Sequence, residues 1–136
     1  MLLHCGQPAE SGGSNQFLDP EIAYLRLRDK DPNLVRALMH EGAMTIPPNT
    51  EADGSVRPVS IGPVFYSDKA TGRLQMRYPA RPNSIAWRDD PMTLRAEACL
   101  REILTGPDPL TLNAKLQAGQ GVLCNNVLHN RTGFGA

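Results

Sequence analysis

Apolar residues in this chain recur at helical spacing in some stretches and at strand spacing in others, and neither pattern runs for long. Ile22, Ala23 and Leu25 follow Asp19-Pro20 and predict a short helix. Proline suits the first helical position, where its missing N–H costs nothing. Asp31-Pro32 repeats the device, with Asp31 placed to cap and Leu34, Val35, Leu38 and Met39 forming an apolar face. Gly42 is set to end that helix. Asp90-Pro91 opens the clearest helix, whose stripe is Leu94, Ala98, Leu100, Ile103 and Leu104, up to Gly106.

Between the helices the period falls to two. Residues 43–48 predict a short strand stopped by two prolines, and polar residues 49–58 a loop. Val64 to Ser67 runs into the turn DKATG, and Leu74, Met76 and Tyr78 alternate on the way out, which predicts a hairpin. Leu110, Leu112, Ala114 and Leu116 alternate on one face. AGQG then turns the chain, and VLCNNVLHNRTGF predicts one strand running into a loop. Residues 5–16 are rich in turn formers. The fold class expected is mostly β with helical insertions, an α+β chain built on a sheet pair or jelly roll.

Composition narrows the function. At 136 residues the natural count is a single domain, 1–136. Lys+Arg and Asp+Glu are both 14, so the chain lacks the net basic charge of a sequence-independent nucleic-acid binder or a polybasic membrane anchor. No stretch approaches the roughly 18 apolar residues of a membrane span. MLLHCGQPAE does not read as a signal peptide, which implies the cytoplasm. Cys5, Cys99 and Cys124 form no CxxC pair, so they read as buried thiols rather than zinc ligands or a disulfide frame.

Candidate chemistry gathers near the end. His129 lies in NNVLHNR, where Asn125, Asn126, Asn130 and Arg131 crowd polar groups around a strand end. Alone, that imidazole reads as an ordinary hydrogen-bonded histidine; its neighbours make a ligand role worth weighing. SGGSN at 11–15 reads either as a surface turn or as backbone left bare for a ligand's approach. His4 reads as structural, and His40 as complementing a helix end. Arg73, Arg77, Arg81 and Arg88 read as a solvated hairpin face before an anion site. Asn130-Arg131-Thr132 fits a glycosylation sequon by chance. Cys124 and His129 are five residues apart on the expected strand, hence on opposite faces, which argues against a Cys–His nucleophile.

In order, LLHCGQPAESGGSNQFLD, GRLQMRY and LQAGQGVLCNNVLHNRTGF resemble the later part of the taurine dioxygenase-like Fe(II)/2-oxoglutarate-dependent oxygenases. That family includes taurine and 2,4-dichlorophenoxyacetate dioxygenases and gamma-butyrobetaine hydroxylase. Its typical ending, a glycine turn, a strand, an asparagine, then Leu-His-Gly-Arg and an aromatic, is here AGQGVLCNN, Leu128-His129-Asn130-Arg131 and Phe134. Asn130 stands in place of the usual glycine. The resemblance implies a double-stranded β-helix, here a partial one, with helices outside. It implies Fe(II) as metal, 2-oxoglutarate as cosubstrate and a small organic molecule as the substrate hydroxylated. His129 matches the distal metal histidine. Asn15 matches a position near the 2-oxoglutarate carboxylate, and Arg131 a polar support on the cosubstrate side.

The family's other two metal ligands form a His-x-Asp or His-x-Glu pair. His4 is followed by Cys5-Gly6, His40 by Glu41-Gly42 and His129 by Asn130-Arg131, so no histidine here supplies it. The arginine that pairs with the far carboxylate of 2-oxoglutarate lies further beyond the distal histidine than the seven residues present. The expectation is therefore a truncated oxygenase domain, inactive by itself. The alternative is a non-catalytic jelly-roll module that binds a ligand or a partner.

Overall fold

The computed structural model describes residues 2–50, 52–79, 84–124 and 127–135. Strands dominate among them, and three helices interrupt the strands. The chain opens with β1 (Leu2–His4), β2 (Ser11–Gly12) and β3 (Asn15–Leu18), then α1 (Pro20–Lys30) and α2 (Pro32–Leu38). There follow β4 (Met44–Ile46), β5 (Asn49–Thr50), β6 (Val56–Arg57), β7 (Ser60–Gly62), β8 (Phe65–Ser67), β9 (Leu74–Met76) and β10 (Ala86–Trp87). The last part holds α3 (Pro91–Thr105), β11 (Leu112–Ala114), β12 (Gly121–Leu123), β13 (Leu128–Arg131) and β14 (Phe134–Gly135). Every described pairing is antiparallel, and none of the described sheets closes into a barrel. The chain divides into two compact units, residues 1–23 with 106–136, and residues 24–105.

All three helix starts follow from their Asp-Pro steps, those of α2 and α3 in the second unit. The Asp31 carboxylate accepts the Asn33 N–H at 2.9 Å, and that of Asp90 accepts the Met92 and Thr93 N–H groups. Asp19, just before the boundary, does the same for Glu21. Each aspartate satisfies donors that the first turn of a helix leaves unpaired. The core of this unit is Leu27, Leu34, Leu38, Met44, Val64, Phe65 and Leu100, all fully buried, with α2 packed on α3. Tyr24 meets Phe65 edge to face at 5.6 Å.

Several expectations need correction here. The α2 helix ends at Leu38, with Met39 as its cap and 41% exposed, so Gly42 does not terminate it. The α3 helix is rotated from the expected stripe: Leu94 is exposed, and the buried face is Thr93, Ala96, Cys99 and Leu100. Small side chains at 93 and 96 let α3 sit close, a role that a count of large apolar residues misses. Within the expected loop 49–58, Asn49–Thr50 and Val56–Arg57 pair as the β5–β6 ladder. Strands β7 and β10 were not expected either; both pair with β4.

The hairpin β8–β9 has the expected form. Asp68 accepts the N–H groups of Ala70 and Thr71, and Gly72 takes the left-handed φ of +69° that the turn requires. Its basic series is not a uniform solvated face. The Arg77 guanidinium turns inward. It donates to the carbonyls of Pro63 (3.3 Å), Ser60 (3.4 Å) and Met44 (3.0 Å) and to the Ser60 hydroxyl (2.6 Å), tying the segment after β9 to β4 and β7. Gly62 leaves it room, since a Cβ there would lie 3.2 Å from the guanidinium. Burial pulls this group below the usual arginine value. Arg88 meets Asp90 at 3.7 Å, and Arg81 lies outside the described residues.

Two predictions follow from this unit. Arg77→Met should cost about 2 kcal/mol in chemical denaturation, because buried carbonyl groups lose their donors. Arg77→Lys should recover little of it, since an ammonium lacks the fork that reaches three carbonyls. Full recovery by lysine would show that charge alone matters there. The second concerns acid. Hydrogen bonds from the hydroxyls of Thr93, Thr71 and Ser55 hold Asp90, Asp68 and Asp53 below the ordinary 3.8. Depressed carboxylates stabilise the fold fully above 3.8 and lose that contribution as pH falls through their lower folded values. The thermal midpoint should therefore fall as pH drops below about 4, and the fall should be shallower in Asp90→Asn. An unchanged slope in that variant would rule out the assignment.

Candidate functional site

In the first unit β3 is the middle strand of a three-stranded sheet, between β11 and β13. Asn15 stands opposite both Ala114 and Arg131, and Phe17 opposite both Leu112 and His129. Residues directly opposite in an antiparallel pair point to the same side, as do residues two apart on a strand. One face of this sheet therefore carries Asn15, Phe17, His129 and Arg131 together. Directly paired Cβ atoms stand about 5 Å apart and diagonal pairs about 7–8 Å, so Asn15 lies near Arg131 and one step from His129. The three residues expected to form a site are brought to one face by register alone.

The environments of the three differ. Asn15 is buried at 6% exposure, and its amide nitrogen donates to the carbonyls of Gly13 (3.4 Å) and Ala114 (3.3 Å). Those bonds fix the amide between β3 and β11. Arg131 is exposed and lays its guanidinium over the Phe134 ring at 4.2 Å. That contact is a cation–π attraction between the guanidinium and the face of the ring. His129 is exposed, with Nδ1 at 3.2 Å from the Val127 carbonyl. A carbonyl only accepts, so Nδ1 carries a proton, and in the neutral ring Nε2 holds a free lone pair. Metal-binding histidines use that tautomer arrangement.

The SGG segment has a third role beyond the two weighed for it. Ser11 and Gly12 pair with Gly135 and Phe134, and the Gly13 N–H donates to the Gly133 carbonyl at 3.2 Å. Gly12 has φ +66°, and a Cβ there would strike the Gly133 carbonyl oxygen. The Ser14 N–H donates to the Thr132 hydroxyl, and the Thr132 N–H to the Ser14 carbonyl. The glycines thus admit the chain's own final segment. The Thr132 hydroxyl of the chance sequon is engaged in that zipper.

The end of the chain is not one strand. β12 pairs with β1, in register Leu2 with Leu123, while β13 pairs with β3. Cys124 and His129 therefore do not lie on one strand, and strand alternation does not set them on opposite faces. Asn125 and Asn126 lie outside the described residues. Of the expected 110–116 alternation only Leu112–Ala114 is strand, and Leu110 and Leu112 are exposed. Cys99 is buried, whereas Cys5 and Cys124 are half-buried. The Nδ1 of His40 accepts the Gly42 N–H at 2.9 Å, so that ring closes a turn rather than facing a helix end.

A small open cleft of about 120 Å³ lies beside the sheet. Asn15 and Arg131 line it, together with Leu3, His4, Cys5 and Lys115. The part played by His4 and Lys115 was missed in the sequence. Lys115 sits in no motif and His4 read as structural within LLHC, and the pairing of β1 with β12 and of β11 with β3 draws their segments to this place.

The donor set does not make an iron site. Two histidines and a carboxylate are the minimum for such a centre. Among the described residues there is no group of three or more His, Cys, Asp or Glu side chains able to hold a metal ion. His129 is one donor where three are needed. Also among the described residues, no helix is long and apolar enough to cross a membrane.

Comparison with curated proteins gives no match. The family model described as taurine catabolism dioxygenase TauD, TfdA family matches residues 1–136, the whole chain. With His129 and Arg131 of its closing motif on a sheet face shared with Asn15, the chain belongs to the TauD/TfdA dioxygenase family.

Proposed function

We propose that this chain forms part of an Fe(II)/2-oxoglutarate-dependent dioxygenase that hydroxylates a small organic substrate while 2-oxoglutarate is decarboxylated to succinate. The observation that carries the reading is the shared face of His129, Arg131 and Asn15 on the β11–β3–β13 sheet. Family membership supports it, since the family consists of dioxygenases. The wholly antiparallel pairing agrees with a double-stranded β-helix core, which we propose as the architecture. The cysteines form no CxxC pair, which fits a reducing compartment, and we take the cytoplasm as its setting.

In this reading His129 offers Nε2 to the metal while the Val127 carbonyl fixes its ring. Asn15 and Arg131 stand on the cosubstrate side. We propose that the remaining metal donors, a His-x-Asp pair, come from outside these 136 residues, because no histidine here has an acid two places on. The account assigns this chain the binding and orientation of ligands, and no chemical step is derived through a metal that its own donors do not hold.

The test is anaerobic titration with Fe(II) in the presence of 2-oxoglutarate. The 136-residue chain should bind without a stoichiometric end point. Protein extended to include the coding sequence on both sides should bind one equivalent and, once oxygen and substrate are admitted, release succinate, and His129→Ala in that protein should abolish iron retention with its melting midpoint kept. Stoichiometric binding by the short chain, or full iron content in His129→Ala, would defeat the proposal.

A further inference from the structure

We propose that Phe134 is a positioning residue: its ring, together with the bare backbone of Gly13, sets the direction of the Arg131 guanidinium. The inference rests on the preceding reading that Arg131 stands on the cosubstrate side. It gives the aromatic of the closing motif a task that the family match leaves unassigned.

Regular strand geometry would keep the two side chains apart. Arg131 and Phe134 are three residues apart, and an odd separation along a strand sends side chains to opposite faces. Yet Cζ of Arg131 stands 4.2 Å from the centre of the Phe134 ring. The irregularity lies in the partner segment. Arg131 is opposite Asn15 and Phe134 opposite Gly12, and at this step Gly12 and Gly13 take consecutive left-handed φ angles of +66° and +72°. Glycine adopts that conformation without strain. The Gly13 N–H to Gly133 carbonyl and Thr132 N–H to Ser14 carbonyl bonds keep the two segments joined across the step. The local twist brings the ring round to the guanidinium.

Gly13 is the second rest. A Cβ there would lie 3.2 Å from Nη2 of Arg131 and 3.7 Å from its Nε, so the guanidinium lies along bare backbone. Phe134 is 61% exposed, and burial does not account for an aromatic at that place. A cation–π contact at an exposed ring is weak, so the ring directs a side chain more than it stabilises a fold. Arginine has much rotamer freedom to lose when it is ordered. A guanidinium already set in direction loses less of it on binding, and the gain appears as affinity.

The first measurement is nuclear magnetic resonance of the 136-residue chain, without metal or cosubstrate. The ring current of Phe134 should move the Arg131 side-chain protons upfield, a signal assigned by its loss in Arg131→Lys. Phe134→Leu should remove the shift, Phe134→Tyr should keep it, and both should keep the wild-type melting midpoint. The second measurement uses the chain extended on both sides. There Phe134→Leu should raise the KM for 2-oxoglutarate about threefold with kcat kept, and Phe134→Tyr should restore it. In an Arg131→Gln background Phe134→Leu should add nothing, because the ring acts only through Arg131. No ring shift in the wild type, a shift that survives Phe134→Leu, or a full Phe134→Leu effect in the absence of Arg131 would overturn the inference. Its failure is separable from that of the oxygenase reading, because the ring shift is read in the short chain with no ligand, whereas that reading falls with iron retention through His129.

Discussion

The pairing of β13 with β3 is the constraint on which the rest of this structure depends. Its register sets Arg131 opposite Asn15 and His129 opposite Phe17. Because side chains alternate along a strand, a slip of one residue would send His129 and Arg131 to the other side of the sheet. Nothing local holds them beside Asn15; more than a hundred residues separate the two strands in sequence. The zipper between residues 11–14 and 132–135 pins the register from one end. Gly12 makes that zipper possible by leaving space for the Gly133 carbonyl. A motif that looks like a ligand loop in sequence is thus a device that fixes the position of another motif.

What was legible in the sequence follows a physical line. Helix starts were legible because Asp-Pro carries its own mechanism: a carboxylate that caps and a residue that needs no donor. The β8–β9 turn was legible for the same reason, through Asp68 and Gly72. The buried face of α3 was not, because Thr93 and Ala96 contribute by being small, and hydrophobic patterning rewards only large residues. The inward turn of Arg77 was equally hidden. Its partners are carbonyls and a hydroxyl of β4, β7 and residue 63, which no spacing along the chain reveals.

The candidate site divides in the same way. His129, Asn15 and Arg131 were found through a resemblance carried by short motifs, and pairing then set them on one face. Lys115 belongs to no motif and His4 carries no signal of its own within LLHC; strands that close long loops bring both to the cleft beside Asn15. The single strand expected to begin at Val122 shows the limit from the other side. The stretch is continuous in sequence, yet Gly121–Leu123 pairs with β1 and Leu128–Arg131 with β3. Periodicity tells which residues share a face, and only the partner strand tells which face it is.

The most direct test of this account is the register itself, read by cross-linking. Gln16 and Asn130 stand directly opposite each other on the face away from the site, at a separation that suits a disulfide. In a background with the three native cysteines replaced by serine, Gln16→Cys with Asn130→Cys should oxidise rapidly. The offset pair Gln16→Cys with Leu128→Cys should oxidise slowly. Faster closure of the offset pair would mean that β13 is paired differently, and that His129, Arg131 and Asn15 do not stand together as described.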